Sequence, residues 1–137
     1  VEKIHLNKED YLNVLKEAVA GKRVIMIDDS IVRGTTSALI VGMLRDAGAK
    51  EVHVRISAPP FLHPCYFGTD IPSEDQLIAH NRTVEEIRDL LGADSLSYLE
   101  MDRLYEMAGG KAICTACFSG DYPIEPPKED IRGSYEK

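Results

Sequence analysis

The segment that most constrains the fold is Val24–Ser37, which reads Val-Ile-Met-Ile-Asp-Asp-Ser-Ile-Val-Arg-Gly-Thr-Thr-Ser. Four apolar residues lead into two adjacent carboxylates, and a short glycine-containing loop then leads into a hydroxyl-rich helix start. This order predicts a buried parallel strand, a tight loop and a helix, because continuous apolar runs are typical of strands covered on both faces. In open α/β sheets, the carboxyl end of such a strand is where ligands bind.

The side chains of this segment indicate a ligand that carries both hydroxyls and a phosphate. Asp28 and Asp29 offer carboxylate oxygens to sugar hydroxyls or to a cation. A helix that begins just beyond Gly34 offers free amide hydrogens to an anion. A sugar phosphate satisfies both requirements. The alternative is a buried strand followed by an aspartate that caps an ordinary helix, although capping alone seldom requires two adjacent carboxylates.

Length and composition narrow the class of protein. The 137 residues, 44% hydrophobic and 28% charged, are typical of one soluble globular domain. The net charge of −7 argues against a nucleic-acid partner, because no basic stripe is present to neutralise phosphates. No apolar run approaches the roughly 20 residues of a membrane helix, and no signal peptide is recognised. Three cysteines, an odd number, favour a reducing compartment, and we expect a cytoplasmic protein without a membrane partner.

Hydrophobic periodicity predicts an α/β arrangement in which strands and helices alternate. The predicted strands are Arg23–Asp28, Glu51–Ser57 and Ser95–Leu99, and the predicted helices are Lys8–Ala20, Thr35–Ala47, Glu74–His80, Val84–Leu91 and Met101–Met107. Capping boxes of Ser73 with Gln76 and of Thr83 with Glu86 are expected to start two of these helices. The first two strands and the helix between them form a βαβ unit with a right-handed crossover.

The sheet predicted in this way looks incomplete. Parallel sheets usually contain about five or six strands, whereas only three are recognised here. The missing strands belong either to a partner chain or to a larger protein of which this is the carboxyl-terminal portion. We divide the chain into an amino-terminal helical segment (residues 1–20), a partial α/β domain (21–108) and a carboxyl-terminal segment (109–137). A long loop, Ala58–Ser73, is expected to be functional or disordered.

The Asp-Asp-Ser-Ile-Val-Arg-Gly-Thr-Thr-Ser sequence resembles the ribose-5-phosphate signature of the phosphoribosyltransferases, in the version of the glutamine phosphoribosylpyrophosphate amidotransferases. Further landmarks are similar across roughly residues 21–123, among them His63–Gly68, Gly92–Leu96 and Cys114–Pro123. The resemblance implies a type I phosphoribosyltransferase fold, apparently incomplete, with a helical carboxyl-terminal extension. It also implies a homo-oligomer and a glutaminase domain and upstream loops that have no counterpart in this sequence.

The resemblance also implies a reaction and a set of site residues. In the family, ammonia from glutamine displaces pyrophosphate from phosphoribosylpyrophosphate in purine biosynthesis, and purine nucleotides compete for the site. Asp28 and Asp29 would be the catalytic carboxylates, holding the sugar hydroxyls directly or through hydrated Mg²⁺. The substrate-binding residues would be Ser30, Arg33, Gly34, Thr35, Thr36 and Ser37. A side chain at Gly34 is expected to block the approach of the phosphate.

The cysteines leave several interpretations open. Cys114 and Cys117 form a C-x-x-C pair, which by itself is compatible with zinc, redox or iron–sulfur roles, with His63 and His80 as candidate zinc ligands. The resemblance implies that Cys65, Cys114 and Cys117 ligate a [4Fe–4S] cluster with a fourth ligand upstream, and some family members lack it. Free thiols are the alternative.

Two rival functions for the whole chain are a non-catalytic purine-nucleotide-binding module and a metal-stapled structural domain.

Overall fold

A computed structural model of the chain describes residues 16–68 and 73–126. Its three strands, β1 (Arg23–Asp28), β2 (Glu51–Ile56) and β3 (Ser95–Tyr98), form a parallel sheet in the order β1-β2-β3. The helices are α1 (Thr35–Asp46), α2 (Val84–Leu91), α3 (Met101–Met107) and α4 (Ala116–Ser119), with a 3₁₀ helix over Glu74–Gln76. The predicted α/β class is confirmed. The predicted helix Lys8–Ala20 lies mostly outside the described residues, of which 16–19 are helical.

The core lies on one face of the sheet, which we call the inner face. Alternate residues of β2, Val52, Val54 and Ile56, are buried there and pack with the buried side chains of α1 and α2. The helix residues in this core are Val41, Leu44, Ile87 and Leu91. The alternate side chains of β2 and the side chains at helical spacing in α1 therefore meet in one apolar layer. This layer holds the end of β1 and the start of α1 together.

Asp94 joins β2 to α1 at the amino-terminal end of the sheet. Its Oδ2 accepts hydrogen bonds from the backbone N–H of Val52 (2.6 Å) and from Arg45 of α1 (2.6 Å). Arg45 also donates to the carbonyl of Gly92 (3.2 Å). The hydrogen bond from Val52, assisted by Arg45, lowers the pKa of Asp94 below its ordinary value, because both donors favour the ionised carboxylate.

The predicted helix over Glu74–His80 is wrong beyond its first turn. The 3₁₀ helix ends at Gln76, and the Ser73 side chain makes no capping bond. Leu77 turns into an extended conformation and is 1% exposed, and the next residue, Ile78, donates its N–H to the carbonyl of Val32 (2.8 Å). Burial of Leu77 and this long-range bond together outweigh the local helical preference. By contrast, the capping box of Thr83 and Glu86 forms as predicted.

None of the helices in the described part of the chain is both long enough and apolar enough to cross a membrane.

Candidate functional site

The carboxyl end of β1 opens into a cavity of about 410 Å³, lined by the consecutive residues 28–37. One continuous segment of sequence therefore forms the whole wall of this cavity. Within that segment Ile31 is 2% exposed and anchors the loop in the core, while Arg33, Thr35 and Thr36 remain exposed. The cavity lies where the general rule for open α/β sheets places a ligand.

The two carboxylates are oriented by hydrogen bonds within the loop. Asp28 Oδ1 accepts the backbone N–H of Asp29 (3.0 Å), and Asp29 Oδ1 accepts the hydroxyl of Ser30 (2.7 Å). Each carboxylate uses only its Oδ1 atom in these bonds. Within the described residues, its Oδ2 atom accepts no hydrogen bond. Ser30 thus acts on the site by holding the Asp29 side chain, which supports its predicted place in the cavity wall.

The start of α1 presents uncapped backbone amides to the cavity. Gly34 occupies the N-cap position, no side chain caps the helix, and its first turn contains no acidic residue. A helix amino terminus in this state carries a partial positive charge and free N–H donors, which together attract an anion. Thr35 and Thr36 add exposed hydroxyls, whereas Ser37 also lines the cavity but is 3% exposed.

Packing by itself favours glycine at position 34, and the predicted role of Gly34 in access of the phosphate stays a prediction. Its φ of +81° lies in the left-handed region that favours glycine. A Cβ atom at this position would overlap Ile78 Cδ1 and would lie 3.6 Å from Leu91 Cδ2. The missing side chain therefore faces the residues behind the loop and not the cavity.

Comparisons with known proteins identify the family to which the chain belongs. An amidophosphoribosyltransferase of Archaeoglobus fulgidus is 54% identical over 123 residues, which cover 87% of this chain and 27% of that protein. The Bacillus subtilis amidophosphoribosyltransferase is 52% identical over 120 residues, covering 83% of this chain and 25% of that one. The chain belongs to the amidophosphoribosyltransferase family. It spans about a quarter of the length of these curated relatives. No family model matches it.

Solved structures agree with this assignment. The glutamine phosphoribosylpyrophosphate amidotransferase of B. subtilis, complexed with ADP and GMP, aligns with a TM-score of 0.74 and 51% identity over 83% of this chain and 26% of that one. A structure described as the allosteric regulatory enzyme of purine biosynthesis aligns with a TM-score of 0.78 and 44% identity over 94% of this chain and 31% of that chain. The phosphoribosyltransferase fold predicted from the sequence is confirmed.

A residue missed by the sequence analysis supports the loop of residues 28–37 from behind. Ile78 bonds the carbonyl of Val32 through its backbone and fills the space beside Gly34 through its side chain. It also lines a second cavity of about 340 Å³, which shares Arg33, Gly34 and Thr35 with the first. No local pattern identifies this role of Ile78, because its contacts with Val32 and Gly34 join positions more than 40 apart in the sequence.

Cys65 lies in the loop that follows β2, Cys114 lies just before α4, and Cys117 lies within α4. Cys65 and Cys117 pack against one small apolar cluster with Phe61 and Leu77, and the Cys117 carbonyl accepts the N–H of His63 (3.1 Å). Burial raises the pKa of the Cys117 thiol, and the neighbouring Cys65 adds to the rise. Cys114 is exposed.

Among residues 16–68 and 73–126, no group of three or more His, Cys, Asp or Glu side chains is arranged to hold a metal ion. A [4Fe–4S] cluster takes four thiolates, and the chain contains three cysteines. The residues present therefore do not by themselves fit the predicted cluster.

Proposed function

We propose that this chain carries the ribose-5-phosphate binding part of an amidophosphoribosyltransferase. In the proposed reaction of the complete enzyme, ammonia from glutamine attacks C1 of phosphoribosylpyrophosphate. The bond from C1 to nitrogen forms, the bond from C1 to the pyrophosphate oxygen breaks, and the products are 5-phosphoribosylamine, pyrophosphate and a proton. The observation that carries the proposal is the cavity of residues 28–37, in which two carboxylates lie beside an uncapped helix start.

The 5′-phosphate is proposed to bind the backbone amides of residues 33–37 and the hydroxyls of Thr35, Thr36 and Ser37. Hydrogen bonds to a charged group contribute roughly 1.5–3 kcal/mol each. The helix dipole adds about 0.3–1 kcal/mol. Several amide hydrogen bonds therefore outweigh the dipole. Local donors must supply this binding, because the net charge of −7 gives the chain an unfavourable overall field for an anion.

Asp28 and Asp29 are proposed to orient the ribose and to stabilise its transition state. As pyrophosphate leaves, positive charge develops on the sugar ring, and fixed carboxylates near the 2′- and 3′-hydroxyls favour that charge. Neither residue has to act as a general base, since ammonia arrives as the nucleophile. The hydrogen bond from Ser30 holds Asp29 in one orientation, so no reorganisation is needed during the reaction.

The donor atoms at this site fit Mg²⁺. Magnesium takes oxygen ligands, keeps several waters and is usually bound through one or two carboxylates together with substrate phosphates. Asp28 and Asp29 supply such oxygens without forming a closed cage of three acidic side chains. We therefore propose that they hold Mg²⁺ directly or through water when phosphoribosylpyrophosphate binds. The ion would neutralise charge on the pyrophosphate.

The same proposal specifies the competing ligands of the site, the remaining polypeptide of the enzyme and its cellular location. The B. subtilis relative was solved in complex with ADP and GMP, so purine nucleotides are proposed to compete with phosphoribosylpyrophosphate for this cavity. The glutaminase and the upstream phosphoribosyltransferase portion would come from polypeptide not contained in these 137 residues. The complete enzyme is proposed to be a homo-oligomer in the cytoplasm.

Binding of ribose-5-phosphate tests the phosphate site directly. In a ¹⁵N-resolved NMR titration, ribose-5-phosphate should shift the backbone amide signals of residues 33–37 and leave those of β3 unchanged. Thr36→Val keeps the β-branched shape but removes a hydroxyl that donates to a charged group, so the dissociation constant should rise roughly 10- to 150-fold.

Ribose without phosphate is the matched control ligand and should bind far more weakly. Equal binding of ribose and ribose-5-phosphate would contradict the phosphate site, as would signal shifts confined to the opposite end of the sheet. A non-catalytic nucleotide-binding module would pass this test but would not turn over ammonia.

A [4Fe–4S] cluster on Cys65, Cys114 and Cys117 is proposed only for the complete enzyme, where other polypeptide supplies the fourth thiolate. Such a cluster would staple residues 114–117 to the loop that contains Cys65, and it would take no part in the reaction. Serine at any of the three positions should then lower the iron content of anaerobically purified enzyme, together with its brown colour and thermal stability. Iron content that is unchanged in all three variants would refute the ligand assignment.

A further inference from the structure

The loop between β1 and α1 (residues 29–33) has little backbone support of its own. Within the described residues, its backbone makes one hydrogen bond to another backbone group, in which the N–H of Ile78 donates to the carbonyl of Val32 (2.8 Å). The helix start that follows the loop has no side-chain cap. Besides the buried side chain of Ile31, the contacts of Val32 therefore decide how the next amides in the chain are oriented.

The side chain of Val32 packs against a small apolar cluster that is separate from the main core. The two buried members of this cluster are Phe61, from the loop after β2, and Leu77, which is 1% exposed. We call Phe61 and Leu77 the rear cluster. Leu77 directly precedes Ile78, whose N–H bonds the Val32 carbonyl. The same short segment therefore holds both the backbone and the side chain of Val32.

The carboxyl-terminal helix α4 packs on the same cluster. Phe118 contacts the rear cluster, and the centroid of its ring lies 4.8 Å from that of Phe61. The carbonyl of Cys117 accepts the N–H groups of Leu62 (2.9 Å) and His63 (3.1 Å), which fixes α4 to the loop after β2. All of these contacts are made between residues of this chain. Helix α4 and the β1–α1 loop are therefore joined through one packed cluster.

A packed cluster of this kind can control the geometry of a binding site that it does not touch. Protein interiors are close-packed, so a void at one side chain is felt by its neighbours. Loss of volume at Leu77 would let Val32 move, and the amides that follow it would lose their alignment. A displacement of about 1 Å can lower the effect of a positioned group by about 100-fold.

We propose that Leu77 is a positioning residue for the phosphate group of the ligand, and that α4 supports the same loop through the rear cluster. Leu77 does not line the cavity of residues 28–37, so its effect on the ligand is exerted through Val32. The proposal rests on the proposed function. It extends that function by making the affinity for phosphate depend on residues far along the chain from the binding loop.

Binding of ribose-5-phosphate to the 137-residue chain, followed by NMR at a temperature where every variant is folded, tests this role. Leu77→Ala should raise the dissociation constant roughly 10- to 100-fold. It should also shift the amide signals of residues 33–37 before any ligand is added. Leu77→Met keeps most of the side-chain volume and should restore the affinity.

Leu96→Ala is the matched control. Leu96 is also buried, at 8% exposed, but it lies on β3 and borders the start of α2. The same truncation there should lower the thermal stability and leave the dissociation constant unchanged. If Leu77→Ala does not fold, Phe118→Leu replaces it, because this variant shortens a half-buried ring on the rear cluster. Phe118→Leu should raise the dissociation constant in the same direction.

The results distinguish the positioning role from the proposed function. If the unsubstituted chain binds ribose-5-phosphate and Leu77→Ala binds it equally well, the positioning role is refuted and the proposed function stands. An equal rise of the dissociation constant in Leu96→Ala has the same meaning, as does an unchanged constant in Phe118→Leu where that variant is the one tested. If the unsubstituted chain does not bind ribose-5-phosphate, the proposed function fails and the positioning role fails with it.

Discussion

Asp28→Asn and Asp29→Asn should each lower the kcat of ammonia-dependent phosphoribosylamine formation by roughly 10²–10³-fold, the range for removal of one preorganised electrostatic group. The protein for this test is a full-length chimera in which this chain replaces the matching segment of the B. subtilis enzyme. Asparagine preserves the shape of each side chain and can still accept the hydrogen bond from Asp29 N–H or from Ser30. The loss should therefore come from the missing charge beside the sugar ring. Release of pyrophosphate measures the reaction.

Two further variants separate charge from position. Ser30→Ala removes the hydrogen bond that holds Asp29 but leaves both carboxylates, so we expect a loss of about tenfold or less. Asp121→Asn, an exposed aspartate outside the cavity, is the control and should have no effect. Glutamine hydrolysis should remain measurable in every variant. Full activity of both Asp28→Asn and Asp29→Asn would remove the carboxylates from the proposed mechanism.

The sequence predicted the elements that rest on local periodicity, and it failed where distant contacts decide the backbone. Strand β1 and helix α2 have the bounds that were predicted. A run of apolar residues defined the strand, and the Thr83 capping box together with the apolar spacing defined the helix. The helix predicted to reach His80 stops at Gln76, because Leu77 is buried in an apolar cluster that includes Cys117 from the far end of the chain. Capping residues alone could not reveal this contact.

The candidate site shows the same limit at a single residue. The sequence identified Asp28, Asp29 and the helix start, because the strand, loop and helix that carry them are contiguous. It did not identify the packing reason for Gly34, since Ile78 and Leu91 reach that position only through tertiary packing. The incomplete sheet was also predicted. The residues left exposed by it, Ile25 and Ile27, became identifiable only when the helices were placed on the inner face.

Gly34→Ala should destabilise the chain by roughly 1.5–3.5 kcal/mol. A left-handed conformation costs a non-glycine residue about 1–2 kcal/mol. Overlap of the new Cβ with Ile78 Cδ1 displaces only the end of a side chain that borders the second cavity, which adds about 0.5–1.5 kcal/mol. Urea denaturation monitored by circular dichroism measures the change in the free energy of unfolding.

Gly92→Ala is the matched control for this prediction, because Gly92 also has a positive φ, +71°, but a Cβ there would meet no atom within 4 Å. Gly92→Ala should lose only the free energy that a non-glycine residue needs to adopt a positive φ. The difference in the free energy of unfolding between the two variants therefore isolates the contact with Ile78. Ile78→Val in the Gly34→Ala background should recover part of that difference, since it removes the Cδ1 atom that the new Cβ overlaps. Equal destabilisation by Gly34→Ala and Gly92→Ala, with binding of ribose-5-phosphate retained, would show that the glycine serves the turn only. If Gly34→Ala instead left stability at the level of Gly92→Ala but abolished binding of ribose-5-phosphate, the glycine would serve access of the ligand, as the sequence alone suggested.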